Sequence, residues 1–403
     1  MLVEIKPSLL KGQVKAPPSK SMAHRLLICA GLAKGESVIR NVSYSEDILA
    51  TLDCLEVLGA DIKKEGDTVY IKGADFSDFN GGAFPCRESG STLRFFIPLA
   101  LLSSSKSLFT GYGRLMERPM EIYEKLCAEK GLYYERNGEG INLSGMLRGG
   151  DFKLRGDVSS QFVTGLLFAL PLASADSRII LTGKTESLGY IDMTLDALNE
   201  FGVKIRREAD NTFYIKGSQE YQPRQLTVEG DYSNAAFLEA FNYIGGEITV
   251  DGLAENSLQG DRVCKEYFKL LRDGTPTLDV SHCPDLAPVL MTLAAVLNGA
   301  GFTGTRRLKM KESDRGEVMR LELAKFGAEI VVEENEITVT KCELHKPSEM
   351  LCGHNDHRVV MSLAVLCSVY GGVIDEAESI SKSYPDFFEV TNKLGLEVIK
   401  DGN

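Results

Sequence analysis

A charged stretch near residue 310 combines acids and cations directly before a predicted helix. Lys311, Glu312 and Arg315 stand in KMKESDRGEV, which leads into an amphipathic run. Charge runs usually belong to a solvated helix face, and Lys309 and Glu317 fit that interpretation. The charges could instead be held for chemistry, and residues four apart lie on one helical face. We therefore predict that Lys311 and Arg315 share a helical face and reach one ligand together.

Other cations recur where strongly apolar helices begin. Lys20 and Arg25 lie in PPSKSMAHR, Arg94 lies in ESGSTLR, and Arg358 lies in NDHR. A cation in the first turn opposes the positive end of the helix dipole, so it costs stability unless an anion binds. Helix N-termini also offer unpaired N–H groups to phosphate. The pattern favours anion binding, although capping alone would explain the Ser and Asp residues of the same turns.

Two further positions suit an anionic ligand. Gly90 lacks a side chain, which lets a ligand approach the backbone closely. Arg118 precedes a proline at a predicted helix start, where its guanidinium could fork onto a carboxylate or phosphate. The alternative for Arg118 is an ion pair with Glu117 or Glu121.

Hydroxyl, amide and carboxylate groups complete the set of candidates. Ser159, Ser160 and Gln161 in GDVSSQF suit a phosphate and a hydroxyl-bearing ligand, or they cap a helix. Asp285 in CPDLAP begins a buried helix, where it could be a cap or a base. Lys382 precedes a Tyr-Pro-Asp turn and adds one more cation. Together these residues predict a site for two polyanionic small molecules.

The bulk composition limits the classes of function. The chain has 403 residues, which is too long for one ordinary core and predicts two domains. Its formal net charge of −12 disfavours general nucleic-acid binding, which depends on lysines and arginines against phosphates. The apolar runs FFIPLALL and VLMTLAAVL are far shorter than the roughly 18 residues of a membrane span. We therefore expect neither nucleic-acid nor membrane partners.

The cysteines and the first residues indicate a cytoplasmic protein. Nine cysteines, an odd number, are scattered without the spacing of metal sites. They are expected to be reduced thiols that pack as small apolar residues. The first twenty residues lack the apolar core of a secretory signal.

One local design recurs six times along the chain. In each copy a polar turn is followed by an apolar run that is predicted to be a buried helix. Strand-like pieces such as DTVYIKG and amphipathic helices such as YIDMTLDALNEFGVKI lie between these runs. The gaps between successive copies are 71, 67, 74, 54 and 71 residues, measured at Ser19, Gly90, Asp157, Asp231, Asp285 and Asp356. We predict six copies of one α/β unit with two strand pairs and two helices.

The motifs occur in an order that resembles the 5-enolpyruvylshikimate-3-phosphate (EPSP) synthase family, also called 3-phosphoshikimate 1-carboxyvinyltransferases. The similarity runs from near residue 10 to near residue 395. The motifs that carry it are PPSKSMAHR, ESGSTLR, MERPM, GDVSSQF, SLGYIDMT, EGDYSNAAF, CPDLAP, KESDR, NDHR and KSYPDFF.

The resemblance implies a two-domain inside-out α/β barrel, with six βαβαββ repeats, buried helices and three repeats per domain. The lower domain would span 16–226, and the upper domain would comprise 1–15 and 227–403. The active site would lie in the cleft between them.

The resemblance also implies roles for individual residues. Asp285 would take the proton of the attacking hydroxyl, and Lys311 and Glu312 would manage proton transfer at the enol carbon. The residues that would hold shikimate 3-phosphate are Lys20, Ser21, Arg25, Ser159, Ser160, Gln161, Ser187, Tyr190, Asp285 and Lys311. The residues that would hold phosphoenolpyruvate are Lys20, Gly90, Arg118, Gln161, Arg315, Arg358 and Lys382.

By the same resemblance the chain would transfer an enolpyruvyl group between these substrates as a monomer, without a metal or organic cofactor. Two positions depart from the family. Glu88 stands where many members carry a small amide, and Arg307 stands where some carry Asn.

Two alternatives remain open from the residues. The first is the sister enzyme UDP-N-acetylglucosamine enolpyruvyl transferase, which has a reactive cysteine in the loop that reads GYGRLMERP here. The second is a catalytically silent anion-binding protein of the same fold, which would be expected to lack Asp285, Lys311 or Glu312.

Overall fold

A computed structural model of the chain describes residues 1–76, 78–157, 159–183, 186–209 and 211–400. The described residues divide into two compact units. The first unit contains Met1–Ser19 and Gly230–Asn403, and the second contains Lys20–Glu229. The sequence prediction placed the corresponding boundaries at residues 16 and 226.

The unit Lys20–Glu229 alternates helices and strands. Its helices are α1 (Lys20–Leu32), α2 (Glu46–Leu58), α3 (Gly90–Ala100), α4 (Glu121–Lys130), α5 (Ser160–Ala169) and α6 (Leu188–Glu200). Its strands are β3 (Glu36–Arg40), β4 (Asp61–Glu65), β5 (Thr68–Lys72), β6 (Gly82–Pro85), β7 (Ser107–Thr110), β8 (Tyr133–Asn137), β9 (Gly140–Ser144), β10 (Gly150–Arg155), β11 (Ser177–Thr182), β12 (Ile205–Ala209), β13 (Thr212–Ile215) and β14 (Gln225–Thr227).

The other unit has the same alternation. Its helices are α7 (Tyr232–Ala240), α8 (Cys264–Asp273), α9 (Ala287–Val296), α10 (Arg315–Ala324), α11 (His357–Tyr370) and α12 (Phe387–Lys393). Its strands are β1 (Val3–Lys6), β2 (Lys11–Lys15), β15 (Glu247–Asp251), β16 (Thr277–Asp279), β17 (Ala300–Thr303), β18 (Glu329–Val332), β19 (Glu336–Thr340), β20 (Leu351–Cys352), β21 (Gly372–Asp375) and β22 (Glu397–Lys400).

Five of the six sheets formed by the described residues share one topology. In the sheet β6-β7-β9-β8, the first two strands are parallel and the other neighbours are antiparallel. The sheets β10-β11-β13-β12 and β16-β17-β19-β18 repeat that order. A helix crosses between the two parallel strands, a second helix follows, and a hairpin closes the sheet. This is the predicted βαβαββ unit, and the α/β class is confirmed, although each sheet is open rather than a closed barrel.

Two of these five sheets borrow a strand from a distant part of the chain. In β14-β3-β5-β4, strand β14 near residue 226 takes the place of the first strand and pairs in parallel with β3. In β20-β21-β1-β22, the N-terminal strand β1 takes one position of the hairpin. Strand β14 at the end of one unit and strand β1 at the start of the other are therefore paired within the sheets of their own units.

The fourth copy differs from the predicted repeat. Its sheet has only the parallel pair β15 and β2 among the described residues. The reason is length: helix α8 ends at Asp273 and β16 of the next copy begins at Thr277, which leaves no room for a hairpin.

The predicted apolar runs form buried helices. Every residue of α9 except Val296 is buried, and α1, α3, α5, α7 and α11 are buried along most of their length. The apolar side chains form one core cluster in each unit. In the unit Lys20–Glu229 the cluster lies between residues 22 and 228. In the other unit it comprises residues between 3 and 10 together with residues between 232 and 396. Burial of that apolar surface is the main source of stability for each unit. No helix in the described part of the chain is both long and apolar enough to cross a bilayer.

Candidate active site

Asp285 lies at the centre of a cluster of charges before helix α9. Its Oδ1 atom is 3.1 Å from Lys311 Nζ and 2.6 Å from Arg315 Nη1. The turn that carries Asp285 ends two residues before the buried helix begins at Ala287. The carboxylate is therefore fixed at a helix mouth, with two cations on one oxygen.

Arg315 connects this carboxylate to two others. Its side chain is 1% exposed, and its Nη2 atom donates to Glu312 Oε2 at 2.8 Å. Its Nε atom donates to Asp356 Oδ2 at 2.9 Å, and Asp356 is completely buried. Burial lowers the pKa of Arg315, but the three surrounding carboxylates outweigh it and hold the pKa well above the usual value. The guanidinium therefore stays charged and holds the cluster together.

The same contacts set the protonation of Asp285 and Lys311. Burial alone would raise the pKa of Asp285, but Lys311, Arg315 and Arg358 outweigh it and keep the pKa well below the usual value. Burial lowers the pKa of Lys311, and Arg315 lowers it further, against the opposite effect of Asp285. The pair is thus a carboxylate that is a weak base as it stands and a lysine that gives up its proton more easily than usual.

The prediction that Lys311 and Arg315 share a helical face is wrong. Residues 306–310 form a short 3-10 helix, residues 311–314 are not helical, and α10 begins at Arg315. Asp314 caps α10 by accepting from the backbone N–H of Glu317. Lys311 and Arg315 meet because both side chains reach Asp285, not because of helical spacing.

Arg358 and Lys382 lie in the same unit as Asp285. Arg358 is in the first turn of α11, is 3% exposed, and donates from Nη1 to Asn234 Oδ1 at 3.1 Å. Its guanidinium also lies 5.5 Å from the Phe237 ring centroid. Lys382 ends a short 3-10 helix, is 7% exposed, and donates to the carbonyl of Asn355 at 2.7 Å. Both predicted cations are buried and held by polar partners.

In the unit Lys20–Glu229, Arg25 brings together two of the predicted shikimate 3-phosphate residues. Its Nη1 atom donates to the carbonyl of Ser21 at 2.6 Å, and its Nη2 atom donates to the carbonyl of Tyr190 at 2.8 Å. Its Nε atom donates to Thr194 Oγ1 at 2.9 Å. Burial lowers the pKa of Arg25 to about 10. The residue therefore ties α1 to α6.

Lys20 and Gln161 each have a polar partner on another helix. Lys20 Nζ lies 2.7 Å from Asp47 Oδ2, in an ion pair that is mostly buried. Gln161 accepts from Arg94 Nη1 at 2.6 Å and donates to Ser91 Oγ at 2.8 Å. These contacts join the starts of α1 and α2, and of α3 and α5.

Gly90, the first residue of α3, accommodates Arg118. A Cβ atom at Gly90 would lie 2.5 Å from Arg118 Nη1 and 3.3 Å from Arg94 Nη1. Sequence reasoning assigned Gly90 to close approach of a ligand; the structure adds that the space above it holds two guanidinium groups.

The serines of the predicted site occupy helix starts. Ser159 is the N-cap of α5 and accepts from the backbone N–H of Gln161, so the capping alternative holds for this residue. Ser160 is the first helical residue and is buried. Ser187 precedes α6 with a φ of 55°, and its carbonyl accepts from the Tyr190 N–H. A positive φ is uncommon for serine and fixes the direction in which its side chain leaves the backbone.

Sequence reasoning missed three residues of these clusters. Asp47 pairs with Lys20, and Asn234 pairs with Arg358, each from a distant element. Asn234 stood inside EGDYSNAAF, but neither side chain was considered. Asp356 stood inside NDHR, two residues before Arg358, so that its position was marked but its carboxylate was not considered. Arg307, named as a departure from the family, is 7% exposed and donates to the carbonyl of Ser281 at 2.7 Å.

Comparisons with known proteins agree with this architecture. A solved structure of EPSP synthase from Acinetobacter baumannii matches with a TM-score of 0.79 at 23% identity, over 99% of this chain and 100% of that chain. At this identity the likeness shows the fold alone. The family model described as EPSP synthase (3-phosphoshikimate 1-carboxyvinyltransferase) matches residues 5–391.

Curated relatives extend the match along nearly the whole chain. A 3-phosphoshikimate 1-carboxyvinyltransferase of Clostridium perfringens is 42% identical over 416 residues, covering 98% of each chain. One of Clostridium kluyveri is 42% identical over 417 residues, again covering 98% of each chain. The chain belongs to the EPSP synthase family, and it is a transferase of alkyl groups other than methyl. The family resemblance inferred from the motifs is confirmed.

Proposed function

We propose that the chain transfers the enolpyruvyl group of phosphoenolpyruvate to the 5-hydroxyl of shikimate 3-phosphate. The products are 5-enolpyruvylshikimate 3-phosphate and phosphate, on the shikimate pathway to chorismate and the aromatic amino acids. Membership of the family supports this reaction, since curated relatives at 42% identity carry the name 3-phosphoshikimate 1-carboxyvinyltransferase.

One structural observation carries the proposal: the Asp285–Lys311–Arg315–Glu312 cluster at the mouth of a buried helix. Phosphoenolpyruvate becomes electrophilic when its C3 is protonated, and the attacking hydroxyl must lose its proton. An acid and a base close together serve both needs. Asp285 is the base for the hydroxyl, and Lys311 and Glu312 exchange the proton with C3.

The low pKa of Asp285 explains why substrate must bind before this carboxylate becomes an effective base. Lys311 and Arg315 neutralise Asp285 in this structure and hold its pKa far below the usual value. Anionic phosphoenolpyruvate competes for Arg315, and shikimate 3-phosphate competes for Lys311. As the two cations turn to these ligands, the carboxylate loses its partners and its pKa rises, which makes it a stronger base at the moment of reaction.

The reaction proceeds by addition and elimination. C3 of phosphoenolpyruvate gains a proton and becomes a methyl group, while the deprotonated 5-hydroxyl oxygen bonds to C2. The resulting tetrahedral intermediate then loses a proton from the methyl group and expels phosphate through C–O cleavage. Cations near the departing phosphate stabilise its charge.

The remaining residues divide between the two substrates. Arg25 donates to the carbonyls of Ser21 and Tyr190, and we assign all three residues to the binding of shikimate 3-phosphate. The other residues that we assign to shikimate 3-phosphate are Lys20, Ser159, Ser160, Gln161, Ser187, Asp285 and Lys311. Those that we assign to phosphoenolpyruvate are Lys20, Gly90, Arg118, Gln161, Arg315, Arg358 and Lys382.

The two alternatives are disfavoured. UDP-N-acetylglucosamine enolpyruvyl transferase would need a reactive cysteine in GYGRLMERP, and none is present. A silent binding protein would lack part of the proton-transfer set, whereas Asp285, Lys311 and Glu312 are all present. We further propose that the protein is a monomer. We also propose that it lies in the cytoplasm, where thiols such as its nine free cysteines stay reduced.

Phosphate release tests the reaction. Purified protein is mixed with phosphoenolpyruvate and either shikimate 3-phosphate or UDP-N-acetylglucosamine, and free phosphate is followed. Release with shikimate 3-phosphate alone supports the proposal. Release with the nucleotide sugar, or with neither acceptor, contradicts it.

A further inference from the structure

The loop between β20 and α11 has an unusual backbone. His354 and Asn355 both have a φ of 50°, so two consecutive non-glycine residues lie in the left-handed region. Asn and His tolerate this region better than most residues, but such conformations persist only where surrounding contacts hold them. The loop is therefore kept in place by its neighbours.

A buried carboxylate supplies those contacts. Glu322 on α10 is 2% exposed, and its Oε1 atom lies 2.8 Å from His354 Nε2. Its Oε2 atom accepts from the backbone N–H of Cys352 at 2.9 Å. Lys325 Nζ lies 3.1 Å and 2.9 Å from the two oxygens.

The contacts of Glu322 also fix its charge. Burial raises its pKa, but the hydrogen bonds from His354, the Cys352 N–H and Lys325 outweigh burial and lower the pKa overall. An ionised carboxylate only accepts hydrogen bonds, so His354 Nε2 is the donor. The resulting charge-assisted bonds hold the start of the loop, at Cys352 and His354, to α10.

The other side of the loop faces the predicted phosphoenolpyruvate cations. The carbonyl of Asn355 accepts from Lys382 Nζ at 2.7 Å. The next residue, Asp356, accepts from Arg315 Nε at 2.9 Å and from the backbone N–H of Arg358 at 2.9 Å. A change in the loop backbone would therefore move the partners of the Lys382 and Arg315 side chains, together with the start of α11, which carries Arg358.

We propose that Glu322 and His354 are positioning residues for phosphoenolpyruvate binding. Neither touches the substrate. Glu322 holds His354 in its left-handed conformation, and the loop then places the Asn355 carbonyl and the Asp356 carboxylate against the cations. This inference rests on the proposed assignment of Arg315, Arg358 and Lys382 to phosphoenolpyruvate.

Two variants test the proposal by their effect on each substrate separately. His354→Ala removes the ring donor from a partly exposed position, and Glu322→Gln removes the charge that the loop binds. The matched control is Glu317→Gln, because Glu317 lies on the same helix, is 42% exposed and forms an ion pair with Arg320. Steady-state kinetics give kcat and both KM values, and calorimetry gives the affinity and stoichiometry for shikimate 3-phosphate.

The proposal predicts a selective effect. The KM for phosphoenolpyruvate rises roughly tenfold in both test variants, the size expected for one charge-assisted hydrogen bond. The KM and stoichiometry for shikimate 3-phosphate stay within about twofold of the wild type, and the control behaves as the wild type. His354→Ala alone remains decisive if Glu322→Gln does not fold.

Three results would overturn the inference, each for a distinct reason. Unchanged KM for phosphoenolpyruvate would show that the loop needs no such support. Equal losses for both substrates, with a lower binding stoichiometry, would show a purely structural role. A Lys382→Met variant with wild-type KM for phosphoenolpyruvate would remove the assignment on which the inference rests. Failure of the wild type to release phosphate would instead refute the proposed reaction itself.

Discussion

Replacement of Asp285 by Asn separates the chemistry of the charge cluster from its stability. The substitution keeps the shape of the side chain and an oxygen that can accept from Arg315, at the position where the present distance is 2.6 Å. It removes the negative charge that would take the proton of the hydroxyl. We expect kcat to fall by roughly 10²- to 10⁴-fold, the range for a general base, which is about 3–5 kcal/mol in activation free energy.

The structure predicts a smaller effect on folding. Arg315 keeps its bonds to Glu312 and Asp356, at 2.8 Å and 2.9 Å, so the guanidinium is not left unpaired. The free energy of unfolding should therefore fall by only about 1–2 kcal/mol, near the worth of one hydrogen bond to a charged group. A protein of ordinary stability remains folded after such a loss.

The assay combines turnover, binding and unfolding on the same preparation. Phosphate release gives kcat, calorimetry gives the affinity for shikimate 3-phosphate, and urea unfolding gives stability. Asp273→Asn is the control, because Asp273 is an exposed acid of the same unit paired with Arg272. Full turnover in Asp285→Asn, or a loss no larger than the unfolded fraction, would refute the assigned role.

Three further predictions follow from the same contacts. Lys311→Ala should fold and bind shikimate 3-phosphate but lose roughly 10²-fold or more in kcat; wild-type turnover would contradict its role in proton transfer. Gly90→Ala should raise the KM for phosphoenolpyruvate roughly tenfold, because the new Cβ would lie 2.5 Å from Arg118 Nη1 and displace that guanidinium; a KM effect confined to shikimate 3-phosphate would contradict this. Burial and nearby Asp285 raise the pKa of Asp261 to about 7. Folding therefore favours its protonated form, and its contribution to stability declines as the pH rises from about 4 to about 7, by up to about 4 kcal/mol. Asp261→Asn should thus be more stable relative to the wild type at pH 8 than at pH 5 in urea unfolding, and a pH-independent difference would contradict the raised pKa.

Much of the fold could be predicted from local patterns. The run VLMTLAAVL is apolar around its circumference, and it became the buried helix α9. The gap of 54 residues between Asp231 and Asp285 was shorter than the other gaps, and it lies where the fourth copy lacks its hairpin. The spacing contained that information, but a repeat was expected to be complete in every copy.

The candidate site was less accessible to sequence reasoning. The pairs Lys20–Asp47 and Arg315–Asp356 join elements that are 27 and 41 residues apart, and only the tertiary fold brings them together. The start of α10 was a different case. Asp314 followed three residues later by Glu317 is a helix-start pattern, which would have placed Lys311 outside the helix.

The most direct test of the central claim is the isotopic composition of the product formed in D₂O. Protein, phosphoenolpyruvate and shikimate 3-phosphate are incubated in D₂O, and the product is examined by mass spectrometry and NMR. Addition and elimination through a transient methyl group predicts an enolpyruvyl ether of shikimate 3-phosphate with deuterium in its vinyl methylene. An ether without deuterium would contradict protonation at C3, and the absence of any ether would contradict enolpyruvyl transfer to this acceptor.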